Sequence, residues 1–357
     1  IGGWMRTGDF GRQDSDGYVH LIGRRSDLIL TGGFNIYPGE VESILAEHPD
    51  VQEVAVFGVP DDDLGEVPHA AVVSNASIDD LHAWCAARLT PYKCPRKIWR
   101  RSNMPRNTMG KILRGTLRLE YRLGERWTAA AREAIVALIL GSQDTPQPIA
   151  AFDFDDTCID GDIGVALLER FDAATTDDLV AEYEADCAVD IRSGYAKLTA
   201  TLLAGRTIDE VQFETREALR QALIDGRIRW VDEVRRLISI LHDRGWAVWI
   251  VTASPEVVVE VVAAQYNVPS TRVIGMRAGS FQGRFTSDVL DPITYRAGKL
   301  EALERRAGGR PLLAMGDSPS DEILLEAADV SILIDRGDEP IRRRALDAGW
   351  VVVQGWS

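Results

Sequence analysis

Two short acidic segments contain the residues best suited to chemistry. Residues 153–157 read DFDDT and residues 316–321 read GDSPSD, and each follows a short apolar run, 149–152 and 312–315. Such runs predict buried strands, and in open α/β sheets ligands bind at the carboxyl ends of the strands. Carboxylates gathered there repel one another unless a cation lies between them, and oxygen ligands suit Mg²⁺. The sequence therefore predicts metal-assisted attack by an aspartate on a phosphate.

Alternating β and α patterns after residue 148 predict the frame that positions these carboxylates. This order is typical of a doubly wound parallel sheet. Residues from about 164 to 230, between the first and second predicted strands, read as an all-helical insert, and a hairpin is expected around Gly283. The predicted strands are 149–154, 246–251, 272–276 and 312–315, with two more near Val330 and Val351.

The N-terminal part has shorter elements, which predict a small α+β domain. An Asp-Gly turn at 16–17 predicts a hairpin, a proline predicts the start of a helix over 38–48, and Ser77 predicts a helix cap. The segment 141–148, GSQDTPQP, is the strongest linker signal. The expected fold is α/β: an α+β domain, a helical linker, and a Rossmann-like, doubly wound parallel-sheet domain with a helical cap at about 164–230. The domain boundaries that we expect are 1–116, 117–147 and 148–357.

Composition bounds the function classes. A chain of 357 residues is expected to form about two or three cores. The net charge of −15 opposes nucleic-acid binding and docking on anionic membranes. The longest apolar run, 134–140, is too short to span a bilayer, and four isolated cysteines fit reduced thiols. We expect a cytoplasmic protein with no nucleic-acid partner and no membrane insertion. Because the chain opens on Ile1, we also expect a fragment whose upstream part is missing; a start at Met5 is the alternative.

Four polar elements in order resemble the motifs of the haloacid dehalogenase superfamily. They are the DxDxT segment at 153–157, Thr252 at a strand end, the lone Lys299, and Asp317 with Asp321. The resemblance covers about residues 148–357. It implies that Asp153 is the nucleophile that forms an aspartyl-phosphate, that Asp155 is the general acid and base, and that Thr252 and Lys299 hold the phosphoryl oxygens.

The same resemblance implies a Mg²⁺ site. Asp153, Asp317 and the backbone carbonyl of Asp155 would hold the ion, and Asp321 would support it from behind. Asp155 also indicates phosphate ester hydrolysis, because the dehalogenases of the superfamily lack this residue and its ion-pumping members carry Thr. A small phosphomonoester is the expected substrate, with Ser254 as a further candidate contact.

The helical insert resembles the cap of phosphoserine-phosphatase-like members of this superfamily. Asp162 lies where those enzymes place an acidic residue that faces the substrate amino group, which suggests a phosphoester with a cationic head. The alternative is that Asp160 and Asp162 only cap the first helix of the insert, a common use of Asp.

The N-terminal part resembles the late motifs of AMP-forming acyl-CoA ligases over about residues 1–116. The segments that carry this resemblance are 4–9 (WMRTGD), 23–27 (GRRSD), 32–42 (GGFNIYPGEVE) and 105–112 (PRNTMGKI).

The resemblance implies roles in cofactor binding and in adenylation. Asp9 would bind the ribose hydroxyls, Arg24 would lie near the nucleotide, and Gly32 and Gly33 would allow the pantetheine of CoA to approach the backbone. Lys111 would bridge carboxylate and α-phosphate oxygens during adenylation. CoA phosphates would also account for the basic residues between 93 and 106.

Three hypotheses about function remain open. In the first, the chain is a phosphatase joined to the tail of an acyl-CoA ligase; ATP, AMP and CoA then concern only the complete ligase, and the chain alone does not adenylate acids. In the second, an upstream adenylating domain makes the protein chiefly a ligase, and the phosphatase half is auxiliary. In the third, the C-terminal half is a degenerate binding module.

Overall fold

A computed structural model describes residues 8–171 and 176–356. A few side chains within these ranges are not described, among them that of Arg24. The first four residues of the ligase-like segment 4–9, from Trp4 to Thr7, lie outside the described residues. The chain divides into two compact units between Arg122 and Leu123.

The first unit is a small α+β fold, as predicted. Strands β5 and β6 form a long antiparallel pair, β3 and β4 extend it on one side, and β7 pairs parallel with β6. The Asp-Gly turn predicted at 16–17 joins β1 to β2, which pair antiparallel. The strands are β1 (Asp9–Gln13), β2 (Val19–Arg24), β3 (Ile29–Thr31), β4 (Phe34–Ile36), β5 (Val51–Asp61), β6 (Gly65–Ser74) and β7 (Lys97–Arg100).

Two helices cover this sheet, and a third lies at the end of the unit. Helix α1 has Pro at its first turn, and the Ser77 hydroxyl caps α2 by accepting from the amide of Asp80. Buried residues of α1 and α2, such as Val41 and Leu81, pack on alternate residues of β6. The helices are α1 (Pro38–Ala46), α2 (Ile78–Ala86) and α3 (Arg114–Leu123).

The second unit is built on a seven-stranded sheet in the order β13-β12-β11-β8-β14-β15-β16. All neighbours are parallel except the β12–β13 hairpin. Numbered along the chain, the six parallel strands have the order 3-2-1-4-5-6 of doubly wound folds, so the order reverses between β8 and β14. Strands β9 and β10 form a separate pair outside this sheet. The strands of the unit are β8 (Ile149–Phe152), β9 (Ile159–Asp160), β10 (Arg229–Trp230), β11 (Ala247–Pro255), β12 (Val273–Phe281), β13 (Arg284–Leu290), β14 (Leu313–Gly316), β15 (Val330–Asp335) and β16 (Val351–Gln354).

Helices pack on this sheet because its central strands are apolar on both faces. Ala151, Trp249 and Ala314 face a core shared with α10 to α12, while the alternate residues, such as Phe152 and Ile250, are equally buried and point the other way. The helices are α4 (Ala129–Gly141), α5 (Ile163–Phe171), α6 (Thr176–Leu203), α7 (Ile208–Ile224), α8 (Asp232–Asp243), α9 (Glu256–Ala263), α10 (Ala297–Ala307), α11 (Glu322–Glu326) and α12 (Glu339–Asp347).

Helix α4 lies in the segment that the sequence predicts to be a linker. It packs against β15 and β16, and buries Ile135, Val136 and Ile139. The apolar run at 134–140 therefore serves the core of the second unit. The boundary predicted at residue 148 stays a prediction, although the division between the two units comes earlier in the chain.

The helical insert follows the first strand of the sheet, as predicted. Helices α5 to α7 lie between β9 and β10, which pair antiparallel and form a short stalk. The insert also contacts the β12–β13 hairpin, because the amide of Gly205 donates to the carbonyl of Phe285 and the amide of Phe285 donates to that of Arg206.

Candidate active site

The candidate site lies where the strand order reverses, at the carboxyl ends of β8 and β14. Asp153 directly follows β8, and its amide donates to the carbonyl of Met315 in β14 at 2.9 Å. Asp317 directly follows β14. Because parallel neighbours end at one edge, residues 164 positions apart in sequence become neighbours in space.

A buried lysine joins two of the carboxylates. Nζ of Lys299 lies 2.6 Å from Oδ1 of Asp153 and 2.6 Å from Oδ1 of Asp321. Lys299 is in the first turn of α10, and Gly298 before it has no room for a side chain, since a Cβ there would lie 1.8 Å from the carbonyl oxygen of Ile293. Burial would lower the pKa of Lys299, but the two carboxylates outweigh it and raise that pKa.

Three carboxylates at this edge form a group that suits a cation. Oxygen atoms of Asp153, Asp317 and Asp321 all lie within 4.8 Å of one another. Burial and the charge of Asp321 raise the pKa of Asp153 to about 7 against the opposing effect of Lys299, and burial with the charge of Asp153 raises the pKa of Asp317 well above its usual range. One lysine balances one of three negative charges, so the residues present fit a divalent cation bound by oxygen.

Asp321 bonds to the turn after β14 in addition to its bond with Lys299. Its Oδ2 accepts from the amides of Asp317 and Ser318, each at 3.2 Å, and from the hydroxyl of Ser318 at 3.2 Å. The side chain is fully buried. Gly316 leaves room for it, because a Cβ on that glycine would lie 2.4 Å from its carboxyl carbon.

Asp155 lies beside this group, but its carboxylate bonds to residues outside the group. Oδ1 accepts from the amide of Ile163 at 2.9 Å, and Oδ2 accepts from the hydroxyl of Ser254 at 2.6 Å. Burial and the charge of Asp162 raise the pKa of Asp155 well above its usual range, which favours the protonated acid. The backbone carbonyl of Asp155 as a metal ligand stays a prediction.

Thr252 and Ser254 come from the end of β11, the neighbour of β8. The hydroxyl oxygen of Thr252 accepts from the amide of Ser254 at 3.0 Å, and the side chain of Thr252 is buried. The contact between Ser254 and Asp155 was not foreseen from the sequence, which marked Ser254 only as a substrate contact. Its position two residues after Thr252 was the only available signal.

The two alternatives for Asp162 and Asp160 have different outcomes. Oδ1 of Asp162 accepts from the amide of Val165 at 2.9 Å and so caps α5, yet Asp162 remains exposed and lies close enough to Asp155 to affect its pKa. The capping role and a substrate-facing role are therefore compatible for Asp162. Asp160 lies in β9 and pairs with Arg336 at 2.6 Å, a residue that no sequence motif indicated.

The ligase-like residues lie in the first unit. Asp9 begins β1 and Arg24 ends β2, but the side chain of Arg24 is outside those described. Gly32 and Gly33 form the turn between β3 and β4 with φ values of 53° and 87°, which glycine adopts at no steric cost.

Lys111 follows a tight turn. The side chain of Asn107 closes this turn by accepting from the amides of Met109 and Lys111. Lys111 itself is exposed.

The basic residues between 93 and 106 have partners within this unit. Carboxylates pair with four of them, the carbonyl of Ala76 accepts from Arg100, and Lys97 lies over the ring of Tyr121. The four ion pairs are Lys93–Glu40, Arg96–Asp61, Arg101–Glu120 and Arg106–Glu53. The sequence interpretation, that CoA phosphates account for this run, overlooked these internal partners because they are distant in sequence.

Comparison with known families assigns both parts of the chain. Residues 40–111 match the AMP-binding enzyme C-terminal domain, and residues 150–326 match the haloacid dehalogenase-like hydrolase family. The chain joins these two domains. Both resemblances drawn from the sequence are thereby confirmed, together with the α/β fold class of the hydrolase domain.

Curated relatives match the ligase-type domain. A 2-succinylbenzoate–CoA ligase of Bacillus subtilis is 46% identical over 125 residues, which are 34% of this chain and 26% of that protein. The long-chain-fatty-acid–CoA ligase FadD13 of Mycobacterium tuberculosis is 43% identical over 122 residues, 33% of this chain and 24% of that ligase.

A solved structure of a Mycobacterium tuberculosis fatty acyl CoA synthetase matches at 43% identity with a TM-score of 0.30, over 34% of this chain and 25% of that one. This chain thus spans about a quarter of the length of the relatives it matches. Among the described residues, no helix is long and apolar enough to cross a membrane.

Proposed function

We propose that the hydrolase domain is a Mg²⁺-dependent phosphomonoester hydrolase that works through an aspartyl-phosphate on Asp153. The observation that carries this proposal is the constellation at the β8–β14 edge: a carboxylate fixed by Lys299, two further carboxylates within 4.8 Å, and a second acid two residues along the chain. Asp153 and Asp317 would hold the ion, with Asp321 supporting it from behind, and the ion would offset the charge of the phosphoryl group and of the carboxylates.

The chain's own residues supply the bond making and the proton transfers. The carboxylate of Asp153 attacks phosphorus and the ester oxygen departs, taking the proton of Asp155. Water then attacks the phosphorus of the aspartyl-phosphate and gives a proton to Asp155; the bond to Asp153 breaks, phosphate is released, and the Asp153 carboxylate and the protonated Asp155 are regenerated. Thr252 and Lys299 would hold phosphoryl oxygens during both displacements.

The raised pKa of Asp155 supports its part in this cycle. A raised pKa favours the protonated acid, which can donate in the first step, and its conjugate base can accept in the second. Its bonds to Ser254 and Ile163 fix the side chain beside Asp153. With Asp162 exposed nearby, a small phosphoester with a cationic head is the substrate class that we propose.

Hydrolysis of p-nitrophenyl phosphate tests the proposal. We expect turnover that requires Mg²⁺, stops with EDTA and is lost in Asp153→Asn, while Asp347→Asn at the exposed end of α12 retains it. Activity that survives in Asp153→Asn would refute the nucleophile. No turnover on a broad panel of phosphoesters would favour the binding-module hypothesis.

A second function is favoured by the 43–46% identity of the N-terminal part to acyl-CoA ligases. We propose that this unit acts as the mobile domain of a ligase when a larger adenylating domain is supplied. The test combines the chain with the adenylating domain of the B. subtilis relative and measures acid-dependent pyrophosphate release. Release that appears only in the mixture, and not with Lys111→Ala, supports the proposal. Release by the chain alone would contradict it.

A further inference from the structure

Arg336 connects the end of β15 to the turn after β8, which carries Asp155. It directly follows β15, and its guanidinium donates to two acceptors 176 and 180 residues earlier in the chain. Nε and Nη2 lie 3.2 and 2.7 Å from the carbonyl oxygen of Asp156, and Nη1 lies 2.6 Å from Oδ1 of Asp160. Such a planar fork holds two acceptors in a fixed mutual geometry.

The first acceptor belongs to a turn that is held in an unusual conformation. Asp156 has φ of 55°, a left-handed value that is uncommon for residues other than glycine, although Asp adopts it more readily than most. Its amide donates to the carbonyl of Gly161 at 3.2 Å, and its Oδ1 accepts from the amide of Gly161 at 3.1 Å. The third constraint on this residue is Arg336, and Asp155 is its immediate neighbour.

The second acceptor belongs to the stalk of the helical insert. Asp160 pairs with Arg229 across the β9–β10 ladder, and the insert leaves and returns to the sheet through these two strands. A single side chain therefore contacts both the turn that carries Asp155 and the stalk that supports the insert.

The backbone next to Arg336 and the stem of its side chain are also held in place. Oδ1 of Asp335 accepts from the amide of Gly337 at 2.9 Å, and its Oδ2 accepts from Nε2 of Gln354 at 3.1 Å. Gly355 packs against the stem, since a Cβ there would lie 3.3 Å from Cδ of Arg336. Three quarters of the Arg336 side chain are shielded from solvent.

We propose that Arg336 is a positioning residue, which holds the carbonyl of Asp156 and the carboxylate of Asp160 so that Asp155 stays aimed at the leaving group. This inference rests on the proposed phosphatase function for its kinetic consequence only. Arg336 touches none of the reacting atoms, and it acts through the backbone of the turn. The structural part, that Arg336 fixes the turn, holds or fails independently of any activity.

Hydrogen exchange tests the structural part. In Arg336→Gln, the amides of Gly161 and Ile163 should exchange at least about threefold faster than in the parent chain, whereas Arg343→Gln should leave them unchanged. Arg343 is the matched control because it is an exposed arginine on α12, in the same region of the unit. Equal exchange in both variants, with the thermal transition of the parent chain, would overturn the proposal.

Leaving-group dependence tests the kinetic part. A poor leaving group, as in an alkyl phosphate, needs protonation by Asp155 more than p-nitrophenolate does. Arg336→Gln should therefore lower the ratio of alkyl to p-nitrophenyl phosphate turnover about tenfold, a part of the ~10²–10⁴-fold that a general acid supplies. Arg336→Lys keeps the charge but not the planar fork, so its turnover ratio should lie between those of the parent chain and of Arg336→Gln.

Asp160→Asn covers the case in which Arg336→Gln fails to fold, because it weakens only one of the bonds to Arg336 and should lower the same ratio by a smaller factor. An active enzyme whose ratio is unchanged in the Arg336 and Asp160 variants would overturn the positioning role. A parent chain without any phosphatase activity would instead refute the proposed function, and the exchange rates would then decide alone whether Arg336 fixes the turn.

Discussion

Replacement of Lys299 by Met tests the electrostatic account of the site most directly. Lys299, Asp153 and Asp321 are at most 8% exposed, and Nζ lies 2.6 Å from an oxygen of each carboxylate. Methionine keeps the apolar stem but leaves two buried carboxylates without their cation. Removal of one partner of a buried ion pair costs about 3–5 kcal/mol, so we expect the second unit to lose stability of this order at pH 7 without Mg²⁺.

Protonation sets an independent limit on this loss. A stranded carboxylate can take up a proton, which for an unfolded-state pKa of about 3.9 costs about 1.4 kcal/mol for each pH unit above that value. The limit for one carboxylate is then about 4 kcal/mol at pH 7 and about 2 kcal/mol at pH 5.5. Because the folded-state pKa is raised, the destabilisation exists above the unfolded-state pKa and shrinks as the pH falls.

The assay is urea unfolding of the second unit at both pH values. Hydrogen exchange of peptides from β8 and β14 monitors the unfolding. Arg305→Met is the control on the same helix: Arg305 pairs with Glu301 at 2.6 Å, but both are more than half exposed, so we expect a loss below about 0.5 kcal/mol. A loss below about 1 kcal/mol for Lys299→Met at pH 7, or an equal loss at both pH values, would refute the reasoning.

Three further substitutions give separate tests. Asp162→Asn can still cap α5 but loses its charge, so it should lower kcat/KM more for phosphoesters with a cationic head than for neutral ones; equal effects would contradict the substrate proposal. His69 is buried, and this burial, with Lys97 and Arg96 nearby, lowers its pKa to about 4. Because an unfolded histidine binds a proton below about pH 6.5, hydrogen exchange of β5 and β6 should show a loss of about 1 kcal/mol between pH 7.5 and 5.5, and His69→Gln should abolish it. Gly298→Ala places a Cβ against the carbonyl of Ile293 and should lower the stability by about 1–3 kcal/mol in thermal unfolding, whereas Gly115→Ala, where a Cβ meets nothing within 4 Å, should be neutral or stabilising.

Local patterns were sufficient to predict the sheet of the second unit. Runs such as 149–152 and 312–315 are apolar because both faces of a central parallel strand are covered, and the carboxylates that follow them must then lie at one edge. The predicted bounds differ from the observed ones by a few residues, mostly at strand ends where side chains start to contact the site. Strand β11, for instance, continues to Pro255 and carries Thr252 and Ser254 into it.

Long-range polar partners could not be predicted in the same way. The bond from Ser254 to Asp155 and the fork of Arg336 join loops whose relative placement depends on strand order, on the β9–β10 stalk and on the left-handed turn at Asp156. Neither residue type nor spacing encodes such a contact locally. The packing of α4 was missed for a similar reason, because the turn-forming segment 141–148 suggested a linker while the burial of the preceding helix depends on β15 and β16.

The shared lysine makes the site one electrostatic unit. Lys299 bonds both Asp153 and Asp321, and Asp321 bonds the amide of Asp317, so a change at any of the four alters the charge balance that the others experience. Substitutions within this group must therefore be non-additive: once Lys299 is replaced, removal of the Asp321 charge by Asp321→Asn should restore stability that it would otherwise cost. His69 belongs to the first compact unit, and we expect its substitution to add independently to any of these.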